Sequence, residues 1–237
     1  MTSDSRLATT RVVAIDGPAA SGKSSTASAV ARRLGFLHVD SGALYRAMTL
    51  VALDLPAGAG AEEIIRAAER RDLRLRVEGD RVWVLLEGGD AEPRIRSREV
   101  TSHVSAVSAL PEVREWINRR LRALAEGGRP LVLDGRDIGT AVFPDALVKV
   151  FLDASPDVRA GRRLQQIGAA RDPEAVASEA ARIAARDQAD SSREIAPLRA
   201  ADDAVHLDTS TLSFEQQVER IVALVQASPL SRDGASH

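Results

Sequence analysis

The sequence predicts an α/β protein: a five-stranded parallel sheet flanked by helices, with a small antiparallel β/α insertion. Three observations predict it. Short apolar runs alternate with helical patterns along most of the 237 residues, as βαβ units do. Each run ends near Asp, Ser or Gly, on the rim where open α/β sheets bind ligands. Between residues 72 and 100 the pattern switches to apolar–polar alternation around Glu78, Gly79 and Asp80, which reads as an antiparallel hairpin.

In chain order, "RVVAI" (11–15) is the first strand, and a glycine-rich loop leads from it into an alanine-rich helix that Gly35 closes. "FLHV" (36–39) is the second strand, followed by "DSGALYR", where Asp40 or Ser41 caps a helix. After the hairpin, "PEVREWINRRLRALAEGG" reads as a helix stopped by Gly127 and Gly128. "LVL" (131–133), "LVKVFL" (147–152) and "AVHL" (204–207) complete the sheet. A helix starts at Asp172-Pro173-Glu174, a cap with proline at the first position, and is expected to run close to Pro197. The core domain is thus expected over 11–60 and 106–225, the insertion over 61–105 and a short lid over 159–185. The polar segments 1–10 and 228–237 are expected to be disordered, since neither buries useful apolar surface.

Composition narrows the function classes. Apolar residues make up 44% and charged residues 28%, with net charge −2, which suits a soluble globular protein and argues against a dedicated nucleic-acid binder. There is no cysteine, so disulfides, a thiol nucleophile and thiolate metal sites are excluded. No apolar segment reaches the length of a signal peptide core or a membrane span, so the expectation is a cytoplasmic protein. No apolar seam or heptad run is visible, which points to a monomer.

Of the 32 basic residues only Lys23 and Lys149 are lysines, and Lys23 sits in the glycine-rich loop. Gly17-Pro18-Ala19-Ala20-Ser21-Gly22-Lys23-Ser24 fits G-x-x-x-x-G-K-[ST], and Ser25 continues it into the helix. A P-loop in this setting, after a strand and before a helix, surrounds phosphate oxygens with backbone N–H groups and the positive helix end. Lys23 supplies a cation for the β and γ oxygens, and the Ser24 hydroxyl a ligand for Mg²⁺. A plain structural turn is the alternative. Neither lysine follows an asparagine, so the N-K-x-D stretch of GTPases is absent, and no apolar run ends in an Asp-Glu pair of the motor ATPase kind.

The rim offers a second set of groups. Arg46 lies five residues past Ser41, and Arg136 and Asp137 follow a core strand in "LDGRDIGTAVFPD". Arg186, Asp190 and Arg193 stand at i, i+4 and i+7, sharing a face if one helix carries all three; a surface ion-pair stripe is the ordinary explanation. Arg159, Arg162 and Arg163 share a helical face before a Gly/Ala break at 168–170, either as a lid over ATP or as a solvated face. His38 reads as a structural strand residue.

Together, "DGPAASGKS", "DSGALYR", "DGRDIGT" with "VFPDA", and "RDQADSSR" followed by "APL" strongly resemble the bacterial cytidylate kinases (CMP kinases) of the nucleoside monophosphate kinase family, over about residues 11 to 225. The resemblance implies a P-loop NTPase fold, transfer from ATP with Mg²⁺ to CMP or dCMP, and an insertion that helps bind the monophosphate. It assigns the CMP phosphate to Arg46, Arg136 and Arg193, and the ribose to Ser41, Arg186 and Asp190. Cytosine falls to Ser105, Arg114 and Asp137, and Asp40 and Tyr45 of "DSGALYR" join the CMP-binding set. Charge neutralisation during transfer falls to Lys23, Arg136, Arg186 and Arg193, and Arg162 and Arg163 join the loop on ATP. Another P-loop kinase acting on UMP or AMP, and a nucleotide-binding regulatory module without turnover, are the alternatives. Family loops often carry glycine where Ala20 stands, a departure that bears on loop geometry.

Overall fold

The computed structural model describes residues 11–228. The predicted tails 1–10 and 228–237 lie outside it apart from Ser228. The expected strands form β1 (Val12–Asp16), β2 (Leu37–Asp40), β6 (Leu131–Gly135), β7 (Val148–Asp153) and β8 (Val205–Asp208). They pair in parallel in the order β2-β6-β1-β7-β8, with β1 fully buried in the centre. Side chains alternate across that strand: Val12 and Ala14 join one apolar cluster, Val13 and Ile15 another. Period-two alternation with apolar residues on both faces is what a strand covered by helices on both sides requires.

One face carries α1 (Lys23–Leu34) and α9 (Phe214–Ala227), whose Val30, Val218 and Ile221 pack on Val13 and Ile15. The other carries α2 (Ser41–Leu53), α3 (Ala61–Arg70), α4 (Glu92–Ile95), α5 (Arg98–Ser108) and α6 (Pro111–Glu126), with Trp116 buried in their midst. Pro111 opens α6 and Gly127 caps its end, as expected. The α1 helix closes at Gly35 in the left-handed region (φ 69°), where its N–H and that of Phe36 satisfy the last carbonyls.

The expected hairpin is present as β3 (Arg74–Glu78) and β4 (Arg81–Leu86), paired antiparallel, with short β5 (Gly89–Asp90) on β4. It does not sit apart from the core. A parallel bridge between His38 and Arg81 joins β4 to β2, so the hairpin extends the five parallel strands into one sheet of eight among the described residues. Residue 61 begins α3, and residue 105 lies within α5.

Two helices frame the loop at the strand ends: α7 (Pro156–Gln166) and α8 (Pro173–Ser191), separated by the expected Gly/Ala break. Asp172 caps α8 by accepting from the Ala175 N–H at 2.8 Å, with Pro173 in the first turn. The expectation that α8 continues to Pro197 is corrected: it ends at Ser191, so Arg193 stands in the turn beyond it. The chain reverses there, with Ala196 at φ 49° just before Pro197 and the Leu198 N–H bonded to the Asp190 carbonyl at 2.9 Å. Proline disfavours a helical residue before it, which removes the means of continuing. No described helix is long and apolar enough to cross a membrane.

Candidate active site

The P-loop residues take the form their types dictate. Gly17 holds φ 154°, and a Cβ there would come 2.1 Å from the Leu152 carbonyl oxygen. Gly17→Ala must therefore displace backbone; a loss of about 3 kcal/mol in chemical denaturation is expected, at the upper end for overpacking. Ala20 takes φ 58°, the left-handed region that glycine adopts without strain, so an alanine at this position carries a local backbone cost. Gly22 (φ 93°) begins α1, and no side chain caps that helix. Its first-turn N–H groups are available to an anion, and Gly22, Lys23, Ser24 and Ser25 line one large cleft.

That cleft encloses about 940 Å³ at the carboxyl ends of the parallel strands. Ala19 and Ala20 of the loop line it, as do Arg162 and Arg163 of α7. Across from them stand Asp40, Arg46, Ser105, Arg136 and Arg186. Ser21 is buried in the loop, its hydroxyl without a partner, and Pro18 accepts from Lys23 Nζ at 2.9 Å through its carbonyl. Arg162 donates to the Ser21 carbonyl (2.9 Å) and to Thr209, bracing α7 against the loop, whereas the Arg163 guanidinium donates to Gln166 of its own helix. Arg159 turns inward instead of facing solvent: it is 9% exposed and pairs with Asp187.

The cations of the cleft outnumber the carboxylates that oppose them. Burial pushes the Lys23 ammonium down to about 7, and Arg136 adds repulsion. Burial, with Arg136 and Arg46 close by, lowers Arg186 to about 9. Burial and Arg96 lower Arg46 to about 10. The Arg186 Nε is buried without a partner. A concave site of mutually repelling, partly desolvated cations is one that a polyanion stabilises.

Asp190, Ser105, Arg114 and Asp137, assigned to ribose and base, are linked through Ser108, Arg136 and Arg193 into one network along the cleft wall. Asp190 accepts from Ser105 Oγ (3.0 Å), Arg136 Nε (3.1 Å) and Arg193 Nη2. Arg193 also donates to Ser108 Oγ at 2.9 Å, and the Ser108 hydroxyl donates to the Ser105 carbonyl. Arg114 donates to the Ser108 carbonyl (3.0 Å) and pairs with Asp137, both buried. The Arg114 guanidinium lies 5.4 Å from the centre of the Tyr45 ring, whose buried hydroxyl has no partner. Ser41 is 3% exposed, and its hydroxyl donates to the Asp134 carbonyl at 2.7 Å. Thus Arg46, Ser105, Arg136 and Arg186 reach the open cleft, while Ser41, Tyr45, Arg114, Asp137, Asp190 and Arg193 lie in the wall behind it.

Several roles and partners were not assigned from the sequence. Asp134, at the end of β6, accepts from Ser24 Oγ through one oxygen and from His38 Nε2 at 2.9 Å through the other, so His38 also serves the site. A hydroxyl and a carboxylate are hard oxygen ligands, suited to Mg²⁺ when substrate phosphates and water complete the shell. The aspartate was visible as a rim residue, but no Asp-Glu pair marked it. Asp40 caps α2 through the Ala43 N–H and pairs with Arg96 of the insertion at 2.9 Å. Arg46 is steered by Thr101 Oγ1 at 2.8 Å. Asp16 is buried, accepts from the Ile138 and Gly139 N–H groups at 2.8 Å each, and is pushed up to about 7 by burial.

Comparison with known proteins identifies the family. The family profile described as cytidylate kinase matches residues 13–227. A cytidylate kinase of Geobacillus sp. (strain WCH70) is 45% identical over 90% of this chain and 95% of its own. Those of Streptomyces griseus and Vibrio cholerae are 46% and 42% identical, over 91% and 92% of this chain and 92% and 97% of theirs. Similarity that runs from the first core strand to the last helix, through the loop and the arginine-lined wall alike, means that the chain belongs to the cytidylate kinase family.

Proposed function

We propose that the chain transfers the γ-phosphoryl group of ATP to CMP and dCMP, giving ADP with CDP or dCDP. One observation carries the reading: Lys23 of the P-loop and Arg46, Arg136 and Arg186 line one cleft with too few carboxylates to balance them. A single nucleotide on the loop leaves the far arginines without a role. Two nucleotides laid end to end use them all, and their mutual repulsion is what the cations offset.

The loop N–H groups, Lys23 and Arg162 bind the donor's phosphates. Arg46, Arg136 and Arg193 orient the acceptor phosphate, Arg186 and Asp190 the ribose, and Arg114 with Asp137 the base. The insertion, 61–105, contributes through Arg96 and Thr101, which hold Asp40 and Arg46 in place. Ser24 and Asp134, already bonded to each other, would hold Mg²⁺, which would supply positive charge against the phosphate oxygens when bound. An oxygen of the acceptor phosphate attacks the γ-phosphorus, the bond to the β–γ bridging oxygen breaks, and ADP leaves with the electron pair. That acceptor is ionised near neutral pH, so no side chain needs to take a proton. Arg136, Arg186 and Lys23 stay in place while charge spreads over the moving group, and closure of α7 over the cleft keeps water from competing. In this reading the protein is a cytoplasmic monomer acting on small molecules.

The test is ADP release from ATP with CMP, dCMP, UMP, AMP or GMP as acceptor. CMP and dCMP should be preferred over UMP by about 1–3 kcal/mol per unmatched polar group, because Asp137 can accept from an amino group but not from a carbonyl. Preference for AMP would defeat the reading, and silence with every acceptor would favour a non-catalytic binding module.

A further inference from the structure

We infer that Asp187 is a positioning residue that couples the two nucleotide sites, so that each substrate binds more tightly when the other is present. The inference rests on the reading above, since it places the donor on residues 17–25 and the acceptor against Arg186 and Asp190.

Asp187 stands on α8 between those two acceptor-side residues, but its carboxylate serves the other site. One oxygen accepts from the Ala19 N–H of the P-loop at 2.8 Å, and the other accepts from Arg159. Arg159 donates in turn to the Ala19 carbonyl (3.1 Å) and to the Ala154 carbonyl (3.1 Å). Both polar groups of Ala19 are therefore held by α8 and α7. Its methyl group is buried with Ala160 of α7 and Ile183 of α8, and Ala20, at φ 58°, follows directly.

One helix thus places Arg186 in the cleft and Asp190 in the wall behind it, and through Asp187, between the two, it grips the donor loop. Charge-assisted bonds to a partly buried carboxylate are costly to leave unmade. A shift of α8 that seats Arg186 and Asp190 on a monophosphate therefore carries Ala19 and Ala20 with it. An empty acceptor site leaves that part of the loop less firmly set. Coupling of this kind is reciprocal: CMP must raise affinity for the donor by the factor by which the donor raises affinity for CMP.

Calorimetric dissociation constants of a non-hydrolysable ATP analogue, with and without saturating CMP, test it in the parent, Asp187→Ala and Asp187→Asn. The parent should bind the analogue about 10-fold tighter with CMP present, within the usual range of coupling between sites. In Asp187→Ala the ratio should fall to near 1. Asp187→Asn keeps the shape and a carbonyl for the Ala19 N–H but loses the charge that holds Arg159, so its ratio should fall between the two. A brace with no coupling role would lower the melting temperature, or weaken both ligands equally, and leave the ratio unchanged.

A ratio in Asp187→Ala equal to the parent's, or a parent ratio of 1, overturns the inference. If the alanine variant does not fold, an unchanged ratio in Asp187→Asn does so. The parent's turnover of CMP separates the two levels: turnover without coupling defeats this inference alone, whereas failure to bind CMP defeats the reading beneath it.

Discussion

Replacing Lys23 with Ala should lower kcat by about 10²–10³-fold, the cost of removing one preorganised charge from a transition state. Folding should survive and even improve. The ammonium is buried, its Nζ bonds one carbonyl, and burial with Arg136 nearby pushes it from its ordinary 10.5 to about 7. Between those values the unfolded chain holds a proton that the folded chain does not, so stability rises with pH across that window. Alanine removes this dependence and its cost. The same shift sets the pH dependence of donor binding. Phosphate oxygens beside Lys23 restore its charge, so binding takes up a proton above pH 7, and affinity falls as pH rises from there. Denaturation and calorimetry in buffers of differing ionisation enthalpy check both effects; near-normal turnover in the variant would mean the loop is not used.

Asp190→Ala should be the more damaging change to the protein itself. Its carboxylate is almost fully buried and joins Ser105, Arg136 and Arg193. Taking one partner from a buried ion pair costs about 3–5 kcal/mol, because the remaining charges lose their compensation. Burial alone would raise the Asp190 pKa; Arg136, Arg193 and Arg186 outweigh it and hold the carboxyl below its ordinary range. The stabilisation is therefore complete above the unfolded carboxyl's ordinary 3.8 and is lost as pH falls through the lowered folded value, so the gap between parent and variant should close in strong acid. In Asp190→Asn, the milder change, KM for CMP should rise at least about 10-fold, and discrimination between CMP and dCMP should shrink. Unchanged handling of both nucleotides would remove Asp190 from ribose recognition.

What the sequence made legible follows from how local each signal is. The P-loop is a contiguous pattern, and β1, β2, β6, β7 and β8 are apolar runs with turn residues at their ends, so both could be read directly. Asp134 could not be assigned, because its partner Ser24 lies 110 positions away and its neighbours form no recognised pair. Asp187 was hidden for the same reason: a single acid among many carries no signal until the fold brings Ala19 to it. Abundant arginine masked Arg96 and left Arg159 open between a lid and a solvated face, when it is an interior residue. The ion-pair stripe was half right. Arg193 does pair with Asp190, but from a turn outside α8, which helical spacing cannot describe. The single bridge from His38 to Arg81 that fuses the hairpin to the core sheet has no sequence signature.

The central claim is that donor and acceptor lie end to end across one cation-lined cleft. Binding of a bisubstrate analogue, adenosine and cytidine joined through a chain of phosphates, tests it most directly. The account predicts one analogue per protein, competition with both ATP and CMP, and loss of affinity on replacing either Lys23 or Arg136. Competition with one nucleotide only, with the other still bound beside the analogue, would contradict it.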